Sequence, residues 1–144
     1  MSLAPTSATV LAGIQRVQDA ILQVPQVEIV TEHIIHGGLY VRTIRLDADV
    51  VLVGALIKVP TMLIVSGKTK VFTGEGWIEL EGLHVIPARA GRKQIFVSRE
   101  PTTITMIFRT DAKTVEQAEQ EFTDEHEALM SKTSDKDIVT ITGE

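Results

Sequence analysis

The spacing of hydrophobic positions changes along the chain, and it begins with a helical pattern. Over residues 7–23 the apolar side chains recur every three or four positions, which predicts an amphipathic helix. Ser7 or Thr9 is a suitable N-cap, and Pro25 follows the last apolar position. A helix of this length is not stable alone, so we expect it to pack on the rest of the molecule. Its apolar positions are Leu11, Ile14, Val17, Ile21 and Leu22.

From residue 27 to residue 109 the pattern becomes one of short apolar runs rich in Val, Ile and Thr. Turn residues separate the runs, among them Ser66-Gly67-Lys68 and Glu81-Gly82. Many short strands without helices between them are typical of an antiparallel sandwich or barrel, so we predict a mostly β fold. The predicted strands cover residues 27–30, 39–46, 50–57, 62–66, 69–73, 76–81, 84–86, 94–98 and 103–109.

A second helical pattern covers residues 114–131, where a narrow apolar stripe stands among Glu, Gln and Asp. We expect a largely solvated helix that lies across the barrel or against a partner subunit. The apolar run within residues 137–142 predicts a closing strand, an added edge strand or a frayed tail. The whole chain, 1–144, then forms a single domain with a helix at each end of the barrel. The stripe consists of Val115, Ala118, Phe122 and Leu129.

Charge is distributed unevenly around the net value of −5. Residues 1–110 carry 11 basic and 9 acidic side chains, whereas residues 111–144 carry 3 basic and 10 acidic ones. An acidic C-terminal segment repels a phosphate backbone, and no basic stripe compensates for it. We therefore expect no nucleic-acid partner.

Several other classes are disfavoured by residues that the chain lacks. Without Cys, a disulfide scaffold, a thiolate metal site and a Cys nucleophile are excluded. The first residues lack the basic flank and apolar stretch of a signal peptide, and no run of about 18 apolar residues occurs. We therefore expect a cytoplasmic protein that has no membrane partner.

A series of short motifs extends from about residue 24 to about residue 125. They are Pro25-Gln26-Val27-Glu28, Thr31-Glu32-His33, Gly38-Leu39-Tyr40-Val41-Arg42, Gly54, Leu63-Ile64-Val65-Ser66-Gly67-Lys68, Gly76-Trp77, Pro87, Gly91-Arg92-Lys93 and Thr110. In this order they resemble a family of small cupin-like proteins of bacteriophage or prophage origin. The resemblance implies a double-stranded β-helix, or jelly-roll barrel, and often a homodimer. A phage-encoded protein would act in the host cytoplasm or on the virion, where a phage or virion protein could be its partner.

The same resemblance implies a place for a metal, held by three His and one Glu. The first ligand motif would follow Gly54, but residues 55–61 contain neither His nor Glu. The His of the second motif would fall near Gln94. Ile57 has no donor atom, and we therefore expect no metal and no other cofactor at the usual cupin position.

The four His residues offer one other metal site. His33 and His36 are three positions apart beside two Gly residues, and His84 could supply a third ligand. The alternative is a hydrogen-bonded His33 that anchors the loop leading into the barrel. We favour the alternative.

Two groups of side chains are candidates for binding a ligand. Tyr40 and Arg42 lie two apart on one strand and therefore share a face, where Arg42 could bind an anion and Tyr40 a hydroxyl. Alternatively, Arg42 pairs with a carboxylate such as Glu79 or Asp47, and Tyr40 packs with its hydroxyl at the rim.

The second group is the basic cluster of Arg89, Arg92 and Lys93, which could hold a carboxylate or phosphate or could be a solvated turn. Residues of both groups could line the barrel mouth. The predicted lining consists of Tyr40, Arg42, His84, Gln94 and Arg92.

Two hypotheses about function remain open. The first is a non-catalytic binding or assembly accessory protein, which follows from the missing metal ligands. The second is a degenerate cupin enzyme, or a binder of a small anion or sugar, that uses the barrel mouth. We also predict a homodimer, because the helix stripes and both faces of the strand at 103–109 carry apolar side chains.

Overall fold

Strands dominate the computed structural model, which describes residues 1–129 and 136–143. The elements are α1 (Ala8–Ile21), β1 (Thr31–His36), β2 (Leu39–Leu46), β3 (Val51–Val53), β4 (Thr61–Phe72), β5 (Trp77–Ala88), β6 (Ile95–Ser98), β7 (Thr102–Arg109), α2 (Val115–Phe122), a 3₁₀ turn (His126–Ala128) and β8 (Ile138–Ile141). The chain is mostly β, with one helix before the strands and one after β7. The predicted fold class is therefore confirmed.

The strands form one curled sheet in the order β3-β6-β4-β7-β2-β1-β8, with β5 paired to the remaining edge of β4. All pairs are antiparallel except that of β1 with β8. Because successive side chains alternate between faces, one face of each strand turns into the core. The core side chains include Tyr40, Val65, Ile104 and Phe108.

The turns predicted at Ser66-Gly67-Lys68 and at Glu81-Gly82 are wrong. β4 and β5 each continue through these residues, and Gly67 lies directly opposite Gly82. On its other edge, β4 pairs with β7 up to Ser66 and with β6 from Thr69 onward. Gly67 has a φ of +139°, and a Cβ there would lie 2.6 Å from the carbonyl oxygen of Pro101. Glycine thus marks a close backbone contact at the corner of the curled sheet.

The first barrel strand was predicted at the wrong residues. Residues 27–30 have no regular structure, and β1 begins at Thr31. Along β1 the buried positions are Thr31, His33 and Ile35. Two of these are polar, so a search for apolar alternation does not detect this strand.

The second helix is shorter than predicted over 114–131. α2 is capped by the Thr114 hydroxyl and ends at Phe122, because Thr123 adopts an extended backbone (φ −153°). Thr123 is fully buried, and its hydroxyl accepts a hydrogen bond from the Glu125 amide. Residues 130–131 lie outside the described part of the chain. The run predicted within 137–142 is observed as the edge strand β8, which pairs in parallel with β1.

The N-terminal segment packs on the barrel as expected. The Ser7 hydroxyl caps α1 by accepting from the Val10 amide, and Ile14 is the buried residue of this helix. Before the helix, Leu3 is buried and forms backbone hydrogen bonds with Pro87 and Arg89 at the end of β5. Within residues 1–129 and 136–143, no helix has the length and apolar character needed to cross a membrane.

Candidate functional site

A cavity of about 190 Å³ lies between the inner face of the sheet and two segments outside it. One segment is the end of α1, and the other is the stretch from the end of α2 to Leu129. Most of its wall is apolar. The lining residues are Gln18, Ile21, Leu22, Gln26, Ile29, Arg42, Ile44, Leu52, Val53, Gly54, Ala55, Ile57, Leu63, Arg92, Gln94, Phe96, Ile104, Met106, Phe122, Glu125, Ala128 and Leu129.

A hydrogen-bonded series of largely buried polar side chains begins at one wall of this cavity. Arg42 on β2 donates from Nη1 to Glu119 Oε2 on α2 (3.0 Å) and to the Tyr40 hydroxyl (3.3 Å). Tyr40 Oη lies 2.7 Å from His33 Nδ1, and His33 Nε2 lies 3.1 Å from Asp137 Oδ2. The carboxylate of Asp137 only accepts, so His33 donates from Nε2 and accepts the Tyr40 proton at Nδ1.

Burial determines the protonation of His33 and Tyr40 in this hydrogen-bonded series. It lowers the pKa of His33 below the usual 6.5; the hydrogen bond to Asp137 opposes this shift, and the nearby Arg42 cation adds to it. Burial also raises the pKa of Tyr40 to about 12. Tyr40 therefore remains a neutral donor at physiological pH. Tyr40 is fully buried, so this hydrogen-bonded series does not offer an activated group to solvent. Its hydrogen bonds instead join β1, β2, α2 and the segment before β8.

Two residues of the predicted basic cluster, Arg92 and Lys93, are not solvated, because they are only 1% and 2% exposed. Lys93 Nζ binds both carboxylate oxygens of Glu125, at 2.8 and 3.1 Å. Glu125 also accepts from the Leu56 amide at 2.6 Å. This pair fixes the segment after α2 against the strand side of the cavity.

Within residues 1–129 and 136–143, three lining side chains carry a buried polar atom that has no hydrogen-bond partner. They are Gln18 at Oε1, Arg92 at Nε and Gln94 at Nε2. Burying a polar group without a partner costs free energy, so such groups are uncommon in folded proteins. Hydrogen-bonding capacity is therefore left over at three places around one cavity.

The structure brings together most of the predicted lining. Arg42, Arg92 and Gln94 line the cavity, and Tyr40 lies behind Arg42. His84 does not line it: this residue is on β5, and its Nε2 lies 2.9 Å from the carbonyl oxygen of Glu81. The expected partners of Arg42, Glu79 or Asp47, are also wrong, because its carboxylate partner is Glu119 on α2.

The trio His33, His36 and His84 does not form a metal site. Residues three apart on a strand point to opposite faces, so His33 is buried while His36 is exposed and its Nδ1 lies 2.7 Å from the Thr142 hydroxyl. His84 lies on β5, four strands from β1 in the sheet. In the described part of the chain, no three His, Asp or Glu side chains are arranged to hold a metal ion.

Sequence reasoning placed Phe122 in the apolar stripe of the second helix but assigned neither Phe122 nor Glu119 to the site. Phe122 is 1% exposed and packs in the same cluster as the Tyr40 and Phe108 rings, with the Arg42 guanidinium 5.4 Å from its ring centre. Glu119 is also buried on α2. Both belong to a segment rich in acidic residues that predicted a solvated helix. Three apart on the helix, they share the face turned to the barrel, and that spacing was the available signal.

Among solved structures, this chain is similar to several cupin proteins. One is a cupin superfamily protein from Desulfitobacterium hafniense, with 9% identity over 64% of this chain and 86% of that chain, and a TM-score of 0.48. Another is the Cupin_2 domain of an XRE family transcriptional regulator from Enterobacter cloacae, with 10% identity over 60% of this chain and 100% of that chain, and a TM-score of 0.47.

A third is a cupin-2 domain containing protein from Shewanella frigidimarina, with 15% identity over 65% of this chain and 91% of that chain, and a TM-score of 0.43. No protein-family model matches the chain. No curated protein matches it either. These three structural neighbours are described as cupin proteins, and at this distance they assign no function to the chain.

Proposed function

We propose that this chain is a non-catalytic, cupin-like protein that binds a small molecule in the cavity between the sheet, α1 and the segment after α2. The observation that carries this proposal is the set of unpartnered polar atoms on Gln18, Arg92 and Gln94 around an apolar cavity. Binding sites for small molecules combine an apolar wall with a few polar groups that orient the ligand.

The absence of a reactive group at the cavity favours binding over catalysis. Its only carboxylate among the described residues, Glu125, is held by Lys93 and by the Leu56 amide. The lining includes no His, Ser or Tyr within the part of the chain that the structure describes. General acid–base or nucleophilic chemistry needs such a group within reach of the substrate.

A pair of matched variants tests whether ligands enter this cavity. Ile44→Phe adds volume to the lining, while Ile138→Phe makes the same change at an exposed position of the edge strand β8 that does not line the cavity. We expect ligands found by a thermal-shift screen to stabilise the wild type and Ile138→Phe but not Ile44→Phe. Equal stabilisation of both variants would contradict the proposal.

A homodimer remains part of the proposal, and the sheet face now supports it better than the helices do. Ile14, Ala118 and Phe122 from the two helix stripes are buried within one chain. The outer face of the sheet, in contrast, carries an apolar row across five neighbouring strands. The row consists of Pro87, Met62, Ile107, Val41 and Ile34, each opposite the next.

This outer row is extended by Val85 and Leu83, which are 59% and 69% exposed. A second copy would cover these side chains, as apolar patches of this kind often mark interfaces. Light scattering of the wild type should give twice the mass of one chain, whereas Met62→Lys should give the mass of a single chain. Val51→Lys, at an exposed position outside the row, is the control. A wild-type monomer at micromolar concentration would contradict the dimer.

A further inference from the structure

Arg92 is a buried cation without a counter-ion among the described residues. Its side chain is 1% exposed, and it donates from Nη1 to the carbonyl oxygen of Arg89 (3.0 Å) and from Nη2 to the Thr61 hydroxyl (2.7 Å). Within the described residues, no carboxylate lies within ion-pair distance of it, and its Nε has no partner. A buried charge is costly unless it is paired.

The other charged groups of the cavity wall are already matched. Arg42 pairs with Glu119 at 3.0 Å, and Glu125 pairs with Lys93 at 2.8 Å. Burial lowers the pKa of Arg92 to about 10, so its guanidinium still carries a positive charge at neutral pH. The wall therefore has an excess of one positive charge, located at Arg92.

A second unpartnered donor lies two residues further along the chain. Gln94 is 5% exposed, lines the same cavity as Arg92, and has no acceptor for its Nε2. Each of these two nitrogens, Arg92 Nε and Gln94 Nε2, has less than 1 Å² of exposed surface. A ligand carboxylate therefore reaches them only after a small shift of the wall, and its two oxygens can then accept from both side chains. One negative charge would also balance that of Arg92.

The other side chains of the wall determine the polarity and the size of the rest of the ligand. Phe96, Ile104 and Met106 make this part apolar, which favours a hydrocarbon body over a sugar or a nucleotide. A cavity of roughly 150 Å³ is known to hold benzene. The 190 Å³ available here is therefore suited to a ligand slightly larger than one ring.

Resting on the proposed binding function, we propose that the ligand is a small monocarboxylate with an apolar body, bound through its carboxylate by Arg92 and Gln94. Benzoate and hexanoate are probes of the right size and charge. Benzyl alcohol and hexanol have the same apolar bodies without the charge.

The test measures the affinity of the full chain for these four probes by isothermal titration calorimetry. Wild type should bind benzoate or hexanoate about ten- to a hundredfold more tightly than the matching alcohol. Gln94→Glu places a carboxylate two residues from Arg92 on the wall of the same cavity, and it should lower the carboxylate affinity at least about tenfold while sparing the alcohols. Gln23→Glu makes the same charge change at an exposed side chain that does not line the cavity and should leave all affinities unchanged.

A second readout does not depend on any ligand. If Arg92 lacks a counter-ion, Gln94→Glu should raise the melting temperature of the ligand-free protein at pH 7, whereas Gln23→Glu should not. Arg92→Gln should abolish the preference for carboxylates, and if it does not fold, Gln94→Glu decides the question.

The outcomes separate the two proposals. Equal affinity for carboxylates and alcohols would overturn the carboxylate assignment and leave the binding function standing. A failure of all four probes to bind, at concentrations up to about 10 mM, where even fragment-sized ligands are detected, would count against both. Gln94→Glu that is destabilised and still binds benzoate normally would overturn the role of Arg92.

Discussion

The Tyr40 hydroxyl joins two buried groups, so removing it should destabilise the protein measurably. In Tyr40→Phe the ring still packs against Phe108 and Phe122, but His33 Nδ1 loses the donor at 2.7 Å. Arg42 loses a longer bond of 3.3 Å and keeps Glu119. A buried acceptor without a partner costs about 1–3 kcal/mol, and we expect a loss of this size in the free energy of unfolding.

Urea denaturation at pH 7.5 measures this loss, and the chain offers a matched control. His36 Nδ1 lies 2.7 Å from the Thr142 hydroxyl, the same distance as in the buried pair, but at the surface. Thr142→Val should change the free energy of unfolding by less than about 0.5 kcal/mol, since water replaces the lost bond. If Tyr40→Phe costs no more than Thr142→Val, the buried chain does not stabilise the fold as argued.

Three further predictions concern protonation, packing and the sheet corner. Because burial lowers the pKa of His33, the unfolded chain binds a proton below about pH 6.5 that the folded chain does not. The free energy of unfolding should therefore fall between pH 7.5 and pH 5.5. His33→Gln should flatten this pH dependence, and an unchanged slope in that variant would contradict the role of His33. Phe122→Ala should lower the free energy of unfolding, measured in urea, by about 3–5 kcal/mol. Val17→Ala, at a half-exposed position of α1, should lower it by less than about 1 kcal/mol. Gly67→Ala should lower the melting temperature more than Gly76→Ala, where φ is also positive (+125°) but a Cβ meets nothing within 4 Å; equal effects would show that the close contact at Gly67 is unimportant.

The sequence was informative where local pattern and tertiary structure agree. The helix at Ala8–Ile21 and strands β2 and β7 follow apolar patterns, and the structure places them close to the predicted bounds. It was misleading where glycine serves the sheet instead of a turn. Gly67 and Gly82 lie opposite each other inside a long hairpin, and only the strand passing over Gly67 reveals why. Such a contact joins residues far apart in sequence.

The candidate site was predicted in part, for a similar reason. Arg42, Arg92 and Gln94 could be placed at the barrel mouth from strand geometry and the resemblance, and they do line the cavity. The partner of Arg42 is Glu119, 77 residues away on α2, and no local pattern specifies that pairing. The burial of Arg92 could not be foreseen either, because a basic residue after a turn is usually solvated.

The binding of a small carboxylate in the cavity is tested most directly by methyl NMR of the full chain titrated with benzoate. We expect saturable shifts of the methyl groups of Ile104 and Met106, which line the cavity, and none at Ile107 on the opposite face of β7. Shifts confined to Ile107 and its neighbours, or no shifts with either benzoate or benzyl alcohol, would contradict it.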